Sequence, residues 1–204
     1  MRPVAGLVIA YLAGSIPFAY LAGKLFKGID LREHGSGNLG ATNVFRVMGW
    51  KIASVVMLLD MAKGALPVLL LPPRFAPVHA ELWAIAFGVA AIVGHVRSIF
   101  LLWKGGGKGV ATAGGVFLAL APIASLISIA VFAVIVYLSG YVSLGSLCSA
   151  VALTLAVVLM KGLSSPVAIA SAVITVFVFW THRGNIGRLR RGEENRVRRA
   201  RPAT

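Results

Sequence analysis

The feature that most constrains this sequence is a series of apolar runs that are too long to stay in water. Residues 110–138 include no Asp, Glu, Lys, Arg or His, whereas about 20 apolar residues are enough for a helix to cross a bilayer. Hydrophobic residues make up 58% of the 204 residues, and the mean hydropathy is +0.88. This composition excludes a soluble globular protein and a disordered nucleic-acid-binding tail. The sequence therefore predicts an all-α, polytopic integral membrane protein.

We predict seven transmembrane helices that together form one membrane-embedded domain over 1–204, with 192–204 as a basic tail. Pro122 divides the longest apolar run into two spans, because proline lacks an N–H group and breaks a helix interior. The predicted spans are 3–26, 50–71, 82–103, 108–121, 123–138, 142–160 and 166–180.

The basic residues predict the orientation of the chain, because cytoplasmic loops of membrane proteins are enriched in Lys and Arg. The chain has 20 Lys and Arg residues but only 6 Asp and Glu residues. If the N-terminus lies outside, sixteen of the basic residues fall on the cytoplasmic side and three on the outer side. The sequence therefore predicts an outer N-terminus and a cytoplasmic C-terminus.

Nearly all residues that can do chemistry lie in three polar segments, which the predicted topology places at the cytoplasmic face. The first segment, 34–46, precedes the second span and is rich in Gly, Ser, Asn and Thr. Such residues allow tight turns and supply hydrogen-bond donors for a phosphate or carboxylate group. An ordinary loop with a helix cap uses the same residue types. Composition alone leaves these two interpretations open.

The second polar segment, 103–112, opens the fourth span with a run of glycines between two lysines. Successive backbone N–H groups at a helix start, with lysines beside them, favour anion binding. The segment is not a Walker A loop, because Gly109 follows Lys108 and no strand precedes it. The alternative is a flexible turn whose lysines contact lipid head groups. Phosphate binding is favoured, because the glycines would otherwise weaken the helix start for no gain.

The third polar segment, 182–195, follows the last span. His182 and Asn185 would share one face if the helix continued beyond that span. The arginines from Arg190 to Arg201 are explained by the topology signal alone, but that signal needs neither His182 nor Asn185.

Two charged residues lie inside the second predicted span. Asp60 and Lys63 are one helical turn apart, so they either neutralise each other or line the site. His95 precedes the glycine run, and the sequence leaves open whether it reaches substrate or completes a polar pocket.

Several enzyme classes are excluded by missing residues. No His is followed five positions later by an Asp, which excludes glycerolipid acyltransferases of the His-x4-Asp type. Asp30 and Asp60 are the only aspartates, so the aspartate cluster of CDP-alcohol phosphotransferases is missing, and we predict no metal site. Cys148 is the single cysteine and is expected to be a small packing residue.

The rival function is a small transporter for a phosphorylated anion, which would also have a basic cytoplasmic mouth. Such a transporter needs polar residues near the bilayer centre and an outer exit, and only Asp60 and Lys63 qualify.

The three polar segments closely resemble the signature motifs of the PlsY family of bacterial membrane acyltransferases. The matching motifs are Ser36-Gly37-Asn38-x-Gly40-Ala41-Thr42-Asn43-x-x-Arg46, Gly106-Gly107-Lys108-Gly109-Val110-Ala111-Thr112 and His182-Arg183-x-Asn185-Ile186-x-Arg188-Leu189-x-x-Gly192-x-Glu194. The chain departs from the family pattern before the second motif, where Arg97 replaces an aromatic residue and the glycine run has one extra residue.

The resemblance implies that a fatty acyl group moves from acyl phosphate to the sn-1 hydroxyl of glycerol 3-phosphate, giving lysophosphatidic acid and phosphate. This is the first step of phospholipid synthesis, and family members do not use acyl-CoA. The implied partners are glycerol 3-phosphate, a long-chain acyl phosphate and the lipid bilayer, without nucleic acid, cofactor or metal. The implied location is the bacterial inner membrane, with the active site at the cytoplasmic face. Docking of the acyl-phosphate-producing enzyme on the basic tail is left open.

The resemblance and the polar segments together predict roles for individual residues. The predicted catalytic residues are Ser36, Arg46, Lys108, His182 and Asn185. The predicted substrate-binding residues are Asn38, Thr42, Asn43, Lys104, Gly105, Gly106, Gly107, Gly109, Thr112, Arg183 and Arg188. The predicted structural residues are Asp60, Lys63 and Glu194. We expect direct attack without an acyl-enzyme, and the base is either His182 or an oxygen of a substrate phosphate.

Overall fold

The computed structural model describes residues 2–197, and their regular secondary structure is entirely helical. The α-helices are α1 Arg2–Ser15, α2 Phe18–Lys27, α3 Ala41–Met48, α4 Trp50–Leu70, α5 Pro72–Phe75, α6 Ala80–Val96, α7 Val110–Leu120, α8 Pro122–Ser139, α9 Val142–Lys161, α10 Pro166–Thr181 and α11 Arg183–Arg190. Short 3-10 turns lie at Leu31–Glu33 and Ile99–Leu101. The predicted all-α class is confirmed. The part of the predicted basic tail beyond residue 197 lies outside the described residues.

Within residues 2–197, five helical segments are long and apolar enough to cross a membrane. They are Arg2–Lys27, Trp50–Phe75, Ala80–Leu101, Pro122–Ser139 and Val142–Lys161. A sixth span results if α10 and α11, which are bent by 60° at their junction, are taken as one. Helix α7 has 11 residues, so it is about 17 Å long, much shorter than a bilayer core of roughly 30 Å. The count of seven spans and the orientation of the termini therefore remain predictions.

The first predicted span contains a break between α1 and α2, at Ile16 and Pro17. The proline ring removes a backbone donor and interrupts the helix. The carbonyls freed at the break find partners elsewhere, as backbone groups inside a membrane must. Ser98 Oγ donates to the Ser15 carbonyl at 2.5 Å, and Lys63 Nζ donates to the Ile16 carbonyl at 2.7 Å.

The chain forms two compact units, Met1–Pro122 and Ile123–Thr204. In the first unit, glycines bring helices into backbone contact. The Cα of Gly14 in α1 faces the backbone of Ala91 in α6, and Gly115 in α7 faces the backbone of Met61 in α4. In the second unit, α9 and α10 are joined by a hydrogen bond of 2.9 Å between the Thr154 and Thr175 hydroxyls. The prediction of a single domain is not tested by this division.

Candidate active site

The first two polar segments contact each other in the first unit. Leu39 N donates to the Gly106 carbonyl at 3.2 Å, and Asn38 Nδ2 donates to the same oxygen at 3.3 Å. Two loops far apart in sequence are thereby joined at the N-terminal end of α7. We call this region, residues 31–46 and 103–112, the loop site. Ser36 and Arg46 are exposed in it, and so is Lys104.

The amide of Asn43 organises the first loop of the site. Its Oδ1 accepts a hydrogen bond of 2.8 Å from Ser36 N, and its Nδ2 donates to the carbonyls of His34 at 2.9 Å and Leu31 at 3.3 Å. Only 1% of Asn43 is exposed. The contacts of this side chain fix the backbone that carries Ser36. Its predicted contact with substrate stays a prediction, as does that of Thr42, which lies next to it in the first turn of α3.

The four glycines of the second segment are required for two different reasons. Gly105 and Gly109 have φ angles of 93° and 84°, a region that only glycine adopts without strain. Gly106 and Gly107 have no room for a side chain instead. A Cβ on Gly106 would overlap the Val96 carbonyl, and one on Gly107 would overlap the imidazole of His95. The glycine run is therefore fitted closely to the end of α6.

The donors around the start of α7 suit a bound anion. Gly109 precedes α7, whose first N–H groups have no partner within the helix. Lys108 is partly buried beside them. The hydroxyl of Thr112, in the first turn, is fully buried and makes no hydrogen bond within the described part of the chain. The positive charge of Lys108, the positive end of the helix dipole and the hydrogen-bond donors thus lie together at the start of α7.

The turn in front of the glycine run has a strained backbone. Leu102 and Trp103 have left-handed φ angles of 51° and 59°, which cost about 1–3 kcal/mol each in non-glycine residues. Trp103 Nε1 donates to the Tyr11 hydroxyl at 2.9 Å, and that hydroxyl donates to the Arg97 carbonyl at 2.8 Å. These contacts hold the strained turn against α1.

Sequence reasoning missed a clamp made by Asp30 and Arg32. Arg32 donates to both carboxylate oxygens of Asp30, at 3.0 Å from Nε and 2.6 Å from Nη2, and its Nη1 donates to the Lys104 carbonyl at 3.0 Å. The hydrogen bond from the Arg32 side chain lowers the pKa of Asp30 to about 2. The available signal was the Asp-x-Arg spacing, in which Asp30 also caps the Leu31–Glu33 turn.

The third polar segment lies in the second unit and begins at a bend. The helix does not continue straight beyond the last span, because α11 turns by 60° from α10 at His182. The side chain of His182 is buried, with Nδ1 at 2.8 Å from the Val178 carbonyl. A carbonyl can only accept, so Nδ1 carries the proton and Nε2 carries the lone pair in the neutral ring. In this tautomer the ring can accept a proton at Nε2.

Beyond the bend, Glu194 accepts hydrogen bonds from two polar residues of α11. Asn185 Nδ2 donates to Glu194 Oε1 at 2.6 Å, and Arg188 Nε donates to Oε2 at 2.7 Å. Burial raises the pKa of Glu194, but the hydrogen bonds from Asn185 and Arg188 outweigh burial and keep this pKa below its usual value. The exposed guanidinium of Arg183 lies 4.8 Å from the ring of Trp180. The predicted roles of these residues in catalysis and binding remain predictions.

No group of three or more His, Cys, Asp and Glu side chains in residues 2–197 is arranged to hold a metal ion. The loop site supplies hydrogen-bond donors and positive charge, and the bend supplies a histidine ring.

Comparison with known proteins relates this chain to glycerol-3-phosphate acyltransferases. The family model for glycerol-3-phosphate acyltransferase matches residues 4–192. The glycerol-3-phosphate acyltransferase of Maridesulfovibrio salexigens is 47% identical, over 93% of this chain and 94% of the relative. That of Geobacillus kaustophilus is 45% identical, over 94% of each chain.

Solved structures agree with this description. A crystal structure of PlsY, an integral membrane glycerol 3-phosphate acyltransferase in its glycerol 3-phosphate form, superposes with a TM-score of 0.89. It is 36% identical, over 97% of this chain and 96% of the other. A lysophosphatidic acid form of PlsY superposes with a TM-score of 0.85. The membrane class predicted from the apolar runs is confirmed. The chain therefore belongs to the PlsY family of integral membrane glycerol-3-phosphate acyltransferases.

Proposed function

We propose that this protein transfers a long-chain fatty acyl group from acyl phosphate to the sn-1 hydroxyl of glycerol 3-phosphate, releasing lysophosphatidic acid and inorganic phosphate. Membership of the glycerol-3-phosphate acyltransferase family supports the acceptor and the type of reaction. The observation that carries the proposal is the junction of the Ser36 loop with the glycine run, where Asn38 and Leu39 bond to the Gly106 carbonyl. Two loops with groups suited to anion binding meet there, and such an arrangement can hold two anionic substrates close together.

The reaction requires little activation of the acyl donor by the protein. An acyl phosphate is a mixed anhydride with phosphate as its leaving group. The acceptor oxygen forms a bond to the acyl carbon, the bond from that carbon to the phosphate oxygen breaks, and the hydroxyl proton passes to a base. The main tasks are to hold the substrates together and to stabilise developing negative charge. Arg46, Lys108 and the first amides of α7 supply the positive charge and the donors.

We assign Ser36 to orienting a phosphate or the attacking hydroxyl, and we propose that no acyl-enzyme forms. The base is either an oxygen of a substrate phosphate or Nε2 of His182, whose Nδ1 proton is directed at the Val178 carbonyl. Asn185 and Arg188 act together through their shared contact with Glu194.

We further propose that the reaction takes place at the cytoplasmic face of a bacterial inner membrane. The sixteen basic residues predicted to lie on that side support this location. The bilayer would supply the acyl donor laterally, and the basic tail is where a peripheral enzyme that makes acyl phosphate would dock.

The test measures phosphate release by the purified protein in detergent, with palmitoyl phosphate in the presence and absence of glycerol 3-phosphate. Palmitoyl-CoA serves as the competing donor. We expect release that requires glycerol 3-phosphate, no reaction with the CoA ester, and a loss of at least about a hundredfold in Ser36→Ala. Transfer from palmitoyl-CoA would overturn the proposed donor. A covalent acyl group trapped on Ser36 would overturn direct attack.

A further inference from the structure

We propose that His95 is a positioning residue, which the buried Asp60–Lys63 pair holds against Gly107 so that the glycine run keeps the shape that binds phosphate. The inference rests on the proposed function only where activity is the readout. It concerns the first unit alone and gives a role to a buried ionic cluster that the chemistry above does not use.

The cluster consists of three polar side chains buried between membrane helices. Lys63 Nζ lies 2.8 Å from Asp60 Oδ1, and His95 Nδ1 lies 3.6 Å from the same oxygen. Asp60 is 1% exposed, Lys63 5% and His95 7%. Buried charges are costly to maintain unless each has a partner. Neutralising Asp60 requires only one cation, so Lys63 alone would be sufficient.

Lys63 is held in place independently of the glycine run. Its Nζ donates to the Ile16 carbonyl at 2.7 Å, at the break between α1 and α2, and it lies 5.3 Å from the centre of the Phe18 ring. The pair therefore forms a fixed point between α4 and the broken first span. His95 is the member of the cluster that extends from this fixed point to the loop site.

His95 touches the glycine run with both its backbone and its side chain. Gly107 N donates to the His95 carbonyl at 3.3 Å. The Nε2 edge of the ring occupies the space where a Cβ of Gly107 would lie. Nδ1 faces Asp60 on the opposite side of the ring. The imidazole thus lies between a fixed carboxylate and the middle of the glycine run.

This contact matters because glycine has more backbone freedom than any other residue. A loop that is disordered before binding must lose that freedom when the phosphate binds, and the affinity falls accordingly. A rigid wall behind Gly107 restricts the loop in advance. Loss of His95 should therefore weaken binding of the substrate phosphate much more than it lowers the reaction rate of the bound substrates.

The first experiment compares steady-state kinetics of wild type and His95→Ala. We expect the KM for glycerol 3-phosphate or for palmitoyl phosphate to rise about tenfold, with kcat changed by less than about threefold, the pattern for lost ground-state binding. An unchanged KM for both substrates in folded protein would overturn the proposal. A fall in kcat with both KM values unchanged would also overturn it, because His95 would then act in the transition state.

A pair of double variants tests the contact itself. In Gly107→Ala the new methyl group overlaps the His95 ring, so His95→Ala should partly restore the KM that Gly107→Ala has raised. Gly106→Ala is the matched control, because its methyl group overlaps the Val96 carbonyl, which no change at position 95 removes. The proposal is supported if His95→Ala lowers the KM of Gly107→Ala but not that of Gly106→Ala. It is contradicted if His95→Ala lowers both KM values equally, or lowers neither.

Two further measurements separate the possible failures. Thermal unfolding in detergent identifies variants that do not fold, and His95→Gln, which keeps a polar group for Asp60, is the substitute if His95→Ala is one of them. Equilibrium binding of radiolabelled glycerol 3-phosphate does not need an acyl donor. If wild type is inactive with palmitoyl phosphate, the proposed donor fails, but a roughly tenfold weaker binding by the position 95 variant still supports His95 positioning. Unchanged binding of glycerol 3-phosphate, together with unchanged KM values wherever activity is measurable, overturns the positioning role.

Discussion

At the scale of single residues, Asn43 shows how one buried amide can hold the backbone of a site loop in place. Its three hydrogen bonds connect the start of α3 to the backbone at Leu31, His34 and Ser36. Each such bond contributes about 0.5–1.5 kcal/mol, and leaving the partners buried and unsatisfied costs more. The position of Ser36 is therefore set by a residue seven positions away.

The Asn43→Ala substitution should lower both stability and activity. We expect a loss of about 1–3 kcal/mol in the free energy of unfolding, together with a large fall in kcat, because the Ser36 loop loses its support. Ser36→Ala is the control: it removes the hydroxyl but leaves the bond from Ser36 N to Asn43, so activity should fall without a change in thermal stability. Thermal unfolding and phosphate release measure the two effects. Full activity in Asn43→Ala would contradict the role of Asn43 in supporting the Ser36 loop.

The Asp30–Arg32 clamp predicts a pH dependence. The pKa of Asp30 is lowered to about 2 in the folded protein, below an ordinary value near 3.9 in the unfolded chain. The clamp therefore stabilises the fold fully above about pH 4, and this contribution disappears as the pH falls towards 2. Thermal unfolding should show Asp30→Asn to be less stable than wild type at pH 7, with the difference narrowing below pH 4. A difference that stays constant down to pH 2 would show that the carboxylate charge is not responsible.

At the scale of helices, glycine contacts decide which faces approach each other. Gly114 and Gly115 are neighbours in α7, yet only Gly115 faces the backbone of α4, at Met61, whereas a Cβ on Gly114 would meet no atom within 4 Å. A side chain at position 115 must push the two helices apart, and the N-terminus of α7 carries the amides that we propose bind phosphate.

We therefore predict opposite outcomes for two adjacent substitutions. Gly115→Ala should destabilise the protein by about 1–3 kcal/mol, as overpacking does in tightly packed interiors, and should lower activity. Gly114→Ala should be neutral, or stabilising by up to about 1 kcal/mol, because alanine favours the helix. Thermal unfolding in detergent measures both variants. Equal effects in the two variants would show that the contact between α4 and α7 is not the cause.

At the scale of the whole molecule, the number of helices that cross the membrane decides on which side each end of the chain lies. Five segments qualify as spans within residues 2–197, and a count of seven needs both the bent pair α10–α11 and the short helix α7. Seven crossings would put the two ends on opposite sides, and the distribution of Lys and Arg predicts that the C-terminus is the cytoplasmic end.

Cysteine labelling from outside intact cells tests this orientation. In a Cys148→Ala background, a cysteine at position 2 should react with a membrane-impermeant maleimide, whereas one at position 195 should react only after the cells are lysed. Labelling of both positions in lysed cells controls for reactivity. Labelling that places both ends on the same side would rule out an odd number of spans. Labelling at position 195 but not at position 2 in intact cells would show that the orientation is the reverse of the predicted one.

The sequence by itself determined the membrane class, the family and the three polar segments. The apolar runs have no stable alternative to helices in a bilayer, because every backbone group there must be paired within the protein. Gly, Ser, Asn and Lys at close spacing are detectable without coordinates because their chemistry is local. The sequence predicted only that the first two segments lie on the same side of the membrane, whereas their contact at Gly106 was found in the structure.

Only the tertiary structure decided which partners these residues have. The Asp30–Arg32 clamp on Lys104, the reach of Lys63 to the break at Ile16 and the fit of His95 against Gly107 join residues from different helices and loops. Helix periodicity relates residues three or four positions apart along one element. Contacts between elements depend on how close two backbones come, and glycines set that distance at points that spacing alone does not identify.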